Sequence, residues 1–242
     1  MTRLFHLSDI HFGAEDRRAI DWFAGVVDTD RPDAVIVTGD LTMRARRREF
    51  AAAARWLAGL EAPVTVQAGN HDLPYFNLVE RFTAPYRRHN DIAGVIGREV
   101  AFDDVAVVPL STTARAQWRL NWSKGYVSDA SLARTLAMVA AVPAGKRILI
   151  ACHHPLIEAS TRSTASTRGG LAALSALAAA GADAVLTGHV HDPFDLTRQI
   201  GGRPVRLIGA GTLSERVRVT PPSFNDIRIE GGEIAVVPRY LG

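Results

Sequence analysis

Residues 34–42 read Ala-Val-Ile-Val-Thr-Gly-Asp-Leu-Thr. The β-branched run Ala34–Thr38 predicts a short buried strand, Gly39 ends it, and Asp40 is delivered just beyond. An apolar strand has no reason of its own to end on a carboxylate, yet the pattern recurs on both sides. The predicted strand Leu4–Leu7 runs into Ser8-Asp9-Ile10-His11, and Val64–Gln67 runs into Gly69-Asn70-His71-Asp72. Further on, Arg147–Ala151 runs into Cys152-His153-His154, and Ala184–Leu186 into Gly188-His189-Val190-His191. Five strand ends each deliver Asp, Asn or His, and sites in α/β folds collect beyond the carboxyl ends of strands.

Helical patterns at about Glu15–Val27 and Glu49–Gly59 separate the first three strands, which is the order of parallel α/β units. Later, Asp103-Asp104 between Arg98–Phe102 and Val105–Leu110 predicts a hairpin. Ser128–Val139 predicts a helix capped by Ser128 or Asp129, and the alanine-rich run 171–180 a packed amphipathic helix. From Phe194 onward, period-two strands are separated by Gly201-Gly202 and Gly231-Gly232. The expected fold is α/β: two packed mixed β-sheets flanked by helices, with the second half contributing more of the antiparallel strands. No repeat or interdomain linker divides residues 1–242, so one domain is expected. About fifty residues, mostly strand-like, follow the last of these strand-end clusters, so a large appended cap or dimerisation domain is not expected.

The chain has 242 residues, a formal net charge of +3, 47% hydrophobic and 7% aromatic residues. That small surplus suits an anionic small molecule and gives no strong nucleic-acid signal, which would need a broad basic groove with stacking aromatics. The basic run Arg44–Arg48 precedes Glu49 and reads as a solvated helix start. The single cysteine, Cys152, excludes an internal disulfide and a Cys/His zinc knuckle and suits a reducing cytosol. The N-terminal apolar stretch is too short and interrupted for a signal segment, and no window approaches the ~20 apolar residues of a membrane span. A cytoplasmic protein without a membrane span is expected.

Asp oxygen, Asn carbonyl oxygen and His nitrogen form a coherent ligand set for Mn, Fe, Co, Ni or Zn. Asp9, His11, Asp40, Asn70, His153, His189 and His191 suffice for two ions that share one carboxylate. Such a pair is the usual clamp for phosphoryl-group hydrolysis.

The order Asp9-x-His11, Gly39-Asp40, Gly69-Asn70-His71-Asp72, His153, Gly188-His189-x-His191 resembles the calcineurin-like metallophosphoesterases. The words Leu7–Gly13, Gly39–Thr42 and His153–Leu156 are most similar to the class III cyclic-nucleotide phosphodiesterase branch. The resemblance implies a four-layer sandwich. It also implies one metal held by Asp9, His11 and His191, another held by Asn70, His153 and His189, and Asp40 bridging them. Manganese or iron is the first expectation, with Zn, Co or Ni as alternatives. A hydroxide between the ions would attack phosphorus, and His71 would face the substrate as the catalytic side chain. The Asp-Arg-Gly that follows the second block in protein phosphatases is absent; Leu41-Thr42-Met43 stands there.

Successive residues of an extended segment point to opposite sides. By that argument His153 serves the centre, His154 does not, and Cys152 is a core thiol. His6, inside the first strand, reads as a core or supporting histidine, and His89, in Arg87–Asp91, as a surface one. Trp118, Trp122, Arg162 and Arg168 are candidate substrate contacts, although both tryptophans could instead pack beneath the following helix. The Ser/Thr-rich stretch Glu158–Gly170 is expected to be a mobile loop and a candidate lid. The function expected is hydrolysis of a small phosphodiester, with a 3′,5′-cyclic nucleotide as one candidate. A phosphomonoesterase or a nucleotide-linked lipid precursor hydrolase is the alternative. A non-catalytic binding module of the same fold is disfavoured, because all seven ligand positions hold competent residues.

Overall fold

In the computed structural model, residues 1–96, 101–116, 121, 123–159, 161 and 167–242 are described. In chain order the elements are β1 (Thr2–Leu7), α1 (Arg17–Asp30), β2 (Ala34–Val37), α2 (Arg47–Ala58), β3 (Val64–Val66), a 3-10 turn at Asn70–Asp72, α3 (Leu78–Thr83) and α4 (Arg87–Ile96). There follow β4 (Val105–Pro109), α5 (Asp129–Ala140), β5 (Arg147–Ala151), α6 (Gly170–Ala179), β6 (Ala184–Thr187), β7 (Phe194–Ile200), β8 (Arg203–Gly209), β9 (Ser223–Glu230) and β10 (Glu233–Tyr240). Two five-stranded sheets result, ordered β10-β9-β1-β2-β3 and β4-β5-β6-β8-β7. β1, β2 and β3 pair in parallel, as do β4, β5, β6 and β8. Among the described residues, the antiparallel strand pairing comes from β7 and from β9 and β10, in line with the sequence reading.

The strand pleat sorts side chains into layers, because alternate residues face opposite sides. In β1, Phe5 and Leu7 join α1's Phe23 and Val27 and α2's Phe50 and Leu57. Leu4, one position before Phe5 and on the opposite face, joins Leu149, Ala184 and Ile208 of the other sheet. β2 repeats the division, with Val35 and Val37 toward the helices and Ala34 and Ile36 toward the second sheet. On the far side, Ile150, Val185 and Val205 pack against α5's Val139 and α6's Leu174 and Leu177. Three apolar clusters thus separate four layers: helices, sheet, sheet, helices. Strands covered on both faces explain why β2 and β5 read as unbroken apolar runs.

Local chemistry fixes the helix ends. Asp16 caps α1 by accepting from Arg18 N (2.9 Å) and Ala19 N (3.3 Å), and Ser128 caps α5 through Ser131 N (3.2 Å). Glu49 accepts from the backbone of Arg44 (2.8 Å) and Arg46 (3.2 Å), so the arginine-rich run is a helix start, as expected. Gly201-Gly202 and Gly231-Gly232 have φ of 57° and 82°, and 58° and 82°, the positive pair that a two-residue hairpin turn requires. Among the described residues no helix is long and apolar enough to cross a membrane.

Two expectations are corrected. The hairpin around Asp103-Asp104 does not form: Ala101 and Phe102 are not in a strand, Arg98–Val100 lie outside the described residues, and β4 pairs with β5 in parallel. Asp104 is instead a junction, accepting from Arg147 N (2.8 Å) and from the Thr2 hydroxyl. His89 is not on the surface. It lies in α4, a helix the sequence reading did not foresee, with only 8% exposed. α3 was also unforeseen; Asn77 caps it through Glu80 N (3.0 Å), and Glu80 then takes the guanidinium groups of Arg87 and Arg88.

Candidate metal centre

The parallel strands of both sheets bring their carboxyl ends to one place. Asp9 and His11 follow β1, Asp40 follows β2, Asn70 opens the turn after β3, His153 follows β5, and His189 and His191 follow β6. All seven residues predicted from sequence are brought together. Asp9 Oδ1 lies 3.1 Å from His191 Nε2 and 3.6 Å from His11 Nε2. Asp40 Oδ2 lies 3.3 Å from His153 Nε2 and 3.9 Å from His11 Nε2. His153 Nε2 is 3.2 Å from Asn70 Oδ1, and the His189 ring centroid is 5.2 Å from that of His153.

The backbone is bent to achieve this. Asp9, His11, Asp40, His189 and His191 have φ between 51° and 70°, the left-handed region that non-glycine residues avoid. Each such residue costs roughly 1–3 kcal/mol, a strain that clusters at functional sites. Close approach supplies the second constraint. A Cβ on Gly188 would lie 1.8 Å from Ser8 Oγ and 2.6 Å from Asp9 Oδ2. Gly188→Ala is therefore expected to lower stability by about 1–3 kcal/mol and to reduce metal content. Urea unfolding together with elemental analysis checks this, and wild-type values in both would contradict it.

Hydrogen bonds on the far side of the rings set the tautomers. A backbone carbonyl can only accept, so His191 Nδ1 donates to Arg216 O (2.7 Å) and His153 Nδ1 donates to Thr38 O (2.7 Å). In the neutral rings this leaves each Nε2 with a bare lone pair turned onto a carboxylate oxygen, the arrangement second partners give metal-binding histidines. Asp9 Oδ1 is buried with no hydrogen-bond donor. Lone pairs at 3.1–3.3 Å repel unless a proton or a cation lies among them.

The electrostatics make the same demand. Burial alone would raise the Asp9 and Asp40 pKa values. The imidazoles facing them, His191 and His11 for Asp9 and His153 and His71 for Asp40, override this and hold both carboxyls well below the usual range. Burial depresses His153, but Asp40 reverses the effect and pushes it up to about 9. Burial and the neighbouring His153 push His189 down to about 3. Two buried ionised carboxylates thus require positive charge among the rings, and the N/O donor set fits transition-metal ions.

Neighbouring residues hold this arrangement. The buried Asp72 carboxylate ties the loops after β2 and β3 by accepting from Leu41 N (3.2 Å), Thr42 N (2.9 Å) and Gly69 N (3.0 Å). His71 N donates to Asp40 Oδ1 (2.7 Å), and His71 Nδ1 donates to Met43 O (2.7 Å), which leaves its Nε2 on the cavity side. His6 is a core histidine as expected, 3.0 Å from Thr38 Oγ1 and pushed down to about 3 by burial. Cys152 is a buried core thiol, its pKa raised by burial.

The argument that placed His154 away from the centre is overturned. β5 ends at Ala151, the chain bends, and both rings turn inward, His154 to 4.5 Å from the His189 centroid. His154 Nε2 faces two acceptors, Ser123 O (2.9 Å) and Asn70 Oδ1 (3.1 Å), so it carries a proton and orients the Asn70 amide.

A polar cavity of about 210 Å³ opens over the cluster, lined by Asp40, Asn70, His71, His189 and His191 with Ser123, Lys124, Arg216 and Arg218. The two arginines were missed from sequence; the only signal was the alternation Arg216-Val-Arg218-Val after β8. Arg168 is exposed, with its guanidinium carbon 6.0 Å from the Tyr126 ring centroid, and is not among the described residues lining the cavity. Trp118, Trp122, Arg162 and most of the Ser/Thr-rich loop lie outside the described residues.

Known proteins resemble the chain in sequence and in fold. Along the sequence, a "probable cyclic nucleotide phosphodiesterase" of Rhodopseudomonas palustris is 29% identical over 171 residues, 64% of this chain and 58% of that protein. The glycerophosphodiester phosphodiesterase GpdQ of Enterobacter lignolyticus is 36% identical over 80 residues, 28% of this chain and 29% of that one. The matches thus span little more than half of the first curated relative and under a third of the second. In fold, a dimetal phosphatase from Danio rerio superposes with a TM-score of 0.67 at 17% identity, over 99% of this chain and 96% of that one. A purple acid phosphatase from yellow lupin gives 0.65 at 13% identity, over 99% of this chain and 51% of that one. Residues 2–193 match the calcineurin-like phosphoesterase family, and the chain belongs to it.

Proposed function

We propose that this chain is a dinuclear metal-dependent phosphoesterase that hydrolyses small phosphodiesters. Asp9, His11 and His191 would hold one ion, Asn70, His153 and His189 the other, and Asp40 would serve both. Manganese or iron is the first expectation. The observation that carries the reading is the convergence of the His11, His153 and His191 Nε2 atoms on the buried Asp9 and Asp40 carboxylates. When bound, the ions supply an activated water and neutralise charge on the phosphoryl oxygens.

The chain's own residues do the rest. Met43 O fixes the His71 ring with Nε2 toward the cavity, beside Arg216 Nη1 (3.3 Å), where a proton could pass to a departing oxygen. His154 holds the Asn70 amide, and Arg216 O holds His191. The similarity to a relative named as a cyclic nucleotide phosphodiesterase makes 3′,5′-cyclic nucleotides the first diesters to test. Lys124, Arg216 and Arg218 around the cavity favour a second reading, a phosphomonoester whose dianion would use more of that charge.

The test is a substrate panel on metal-stripped protein with Mn added back. Turnover of linear or cyclic diesters above monoesters is expected, and only with metal. Monoester turnover alone would select the second reading. A protein that takes up metal and hydrolyses neither class would overturn both.

A further inference from the structure

We propose that Arg216 donates to a non-bridging phosphoryl oxygen of the substrate and so positions the anion over His11, His71 and Asp40; this rests on the phosphoesterase reading above. Its main chain is built into the wall of the site. The amide donates to Ser214 Oγ (3.3 Å), and the carbonyl accepts from His191 Nδ1 (2.7 Å). Its guanidinium is placed differently from those of Arg3, Arg88, Arg147 and Arg206. Arg3, Arg88, Arg147 and Arg206 each meet a carboxylate. Arg216 Nη1 meets His11 Nε2 and His71 Nε2, both at 3.3 Å, and Met43 Sδ at 3.8 Å, and no carboxylate contacts it among the described residues.

Two imidazole lone pairs are weak compensation for a half-buried cation that carries five N–H donors. A phosphoryl group offers charged acceptors in the planar spacing a guanidinium matches. Metal uptake by His11 would claim one of the two lone pairs that Arg216 now faces, and the guanidinium N–H groups then turn to the anion. The rim segment supports the assignment. Arg216 and Arg218 line the cavity, while Val217 and Val219, alternating with them, are 44% and 67% exposed. Half-buried Arg216 and exposed Arg218 thus border the cavity while the apolar residues beside them are left to solvent.

Side-chain substitution leaves the backbone carbonyl that orients His191, so the guanidinium can be tested alone. Arg216→Gln and Arg216→Lys, metal-loaded, are compared with wild type for metal content by elemental analysis, for inorganic phosphate affinity by calorimetry, and for KM and kcat separately. Arg216→Gln is expected to keep about two ions per chain, to bind phosphate about 10- to 100-fold more weakly, and to raise KM in step. Arg216→Lys should recover part of the loss as a point charge. If wild type binds metal and turns over esters while Arg216→Gln binds phosphate equally well, this inference fails and the phosphoesterase reading stands. Loss of metal from Arg216→Gln would make the side chain a structural prop and also overturn it. Wild-type protein that takes up no metal and binds no phosphate would overturn both.

Discussion

Asp40→Ala is expected to lower metal content from about two ions per chain to well under one, and kcat/KM by about 10³-fold or more. The reason is position. Asp40 Oδ2 reaches toward His11 Nε2 at 3.9 Å and His153 Nε2 at 3.3 Å, so one carboxylate addresses both halves of the cluster. Its Oδ1 also takes the His71 amide, fixing the turn that carries Asn70. Removing it deletes a buried negative charge that the surrounding imidazoles face, and like-charged ions would then lack what holds them together. Asp40→Asn keeps the shape and the acceptor for His71 N but not the charge. It should fold as wild type and still lose metal, which separates the electrostatic loss from a packing defect. Elemental analysis and circular dichroism on both variants decide the matter. Wild-type metal content in Asp40→Ala would refute the shared-ligand arrangement.

The second large effect is selective. His71→Ala is expected to keep both ions and to lose about 10²–10⁴-fold in kcat on alkyl or cyclic diesters, with a much smaller loss on p-nitrophenyl esters. Its Nδ1 is committed to Met43 O and its Nε2 to the cavity, so the ring has one defined atom from which to give a proton. An alkoxide needs that proton; p-nitrophenolate is stable without it. Arg216 lies 3.3 Å from the same Nε2, so a purely electrostatic role is the rival account. That role would weaken both ester types alike. Equal losses with metals retained would therefore remove His71 as the proton donor and leave it as a partner of Arg216.

The donor residues were legible in the sequence because polar side chains at the ends of apolar strands have no packing explanation. Asp40 after Ala34–Val37 and His153 after Arg147–Ala151 stand out for that reason. Layering was legible too, since strands covered on both faces lose their polar alternation. What was not legible depends on backbone path. Nothing in the identities of Asp9, His11 or His191 requires a positive φ; for the first two it accompanies backbone bonds to the loop after β2, Asp9 N to Gly39 O and His11 N to Asp40 O, both 3.0 Å. His154 escaped the alternation of an extended chain because the strand stops at Ala151, three residues before it. Arg216 sits in irregular chain between β8 and β9, where spacing carries no periodic signal, and its meaning comes only from the histidines it reaches. α3 is six residues long, too short for a helical period to declare itself, and Asn77-x-x-Glu80 was its only mark.

β1 occupies the middle of its sheet, between β2 and β9. Leu4–Leu7 leaves the ribosome well before Ser223–Glu230, so one edge of an apolar strand waits unpaired while the intervening chain is made. Pairings that distant in sequence form slowly, and open apolar edges invite association between chains. The same late segment supplies Thr212, whose hydroxyl holds the Asp9 carbonyl at 2.6 Å, and the Arg216 carbonyl that turns His191 inward. A nascent chain halted at residue 193 would already carry every donor residue of the centre. It would still have β1 half exposed and His191 without the partner that aims it, so the stretch that bears the motifs is shorter than the stretch that must fold.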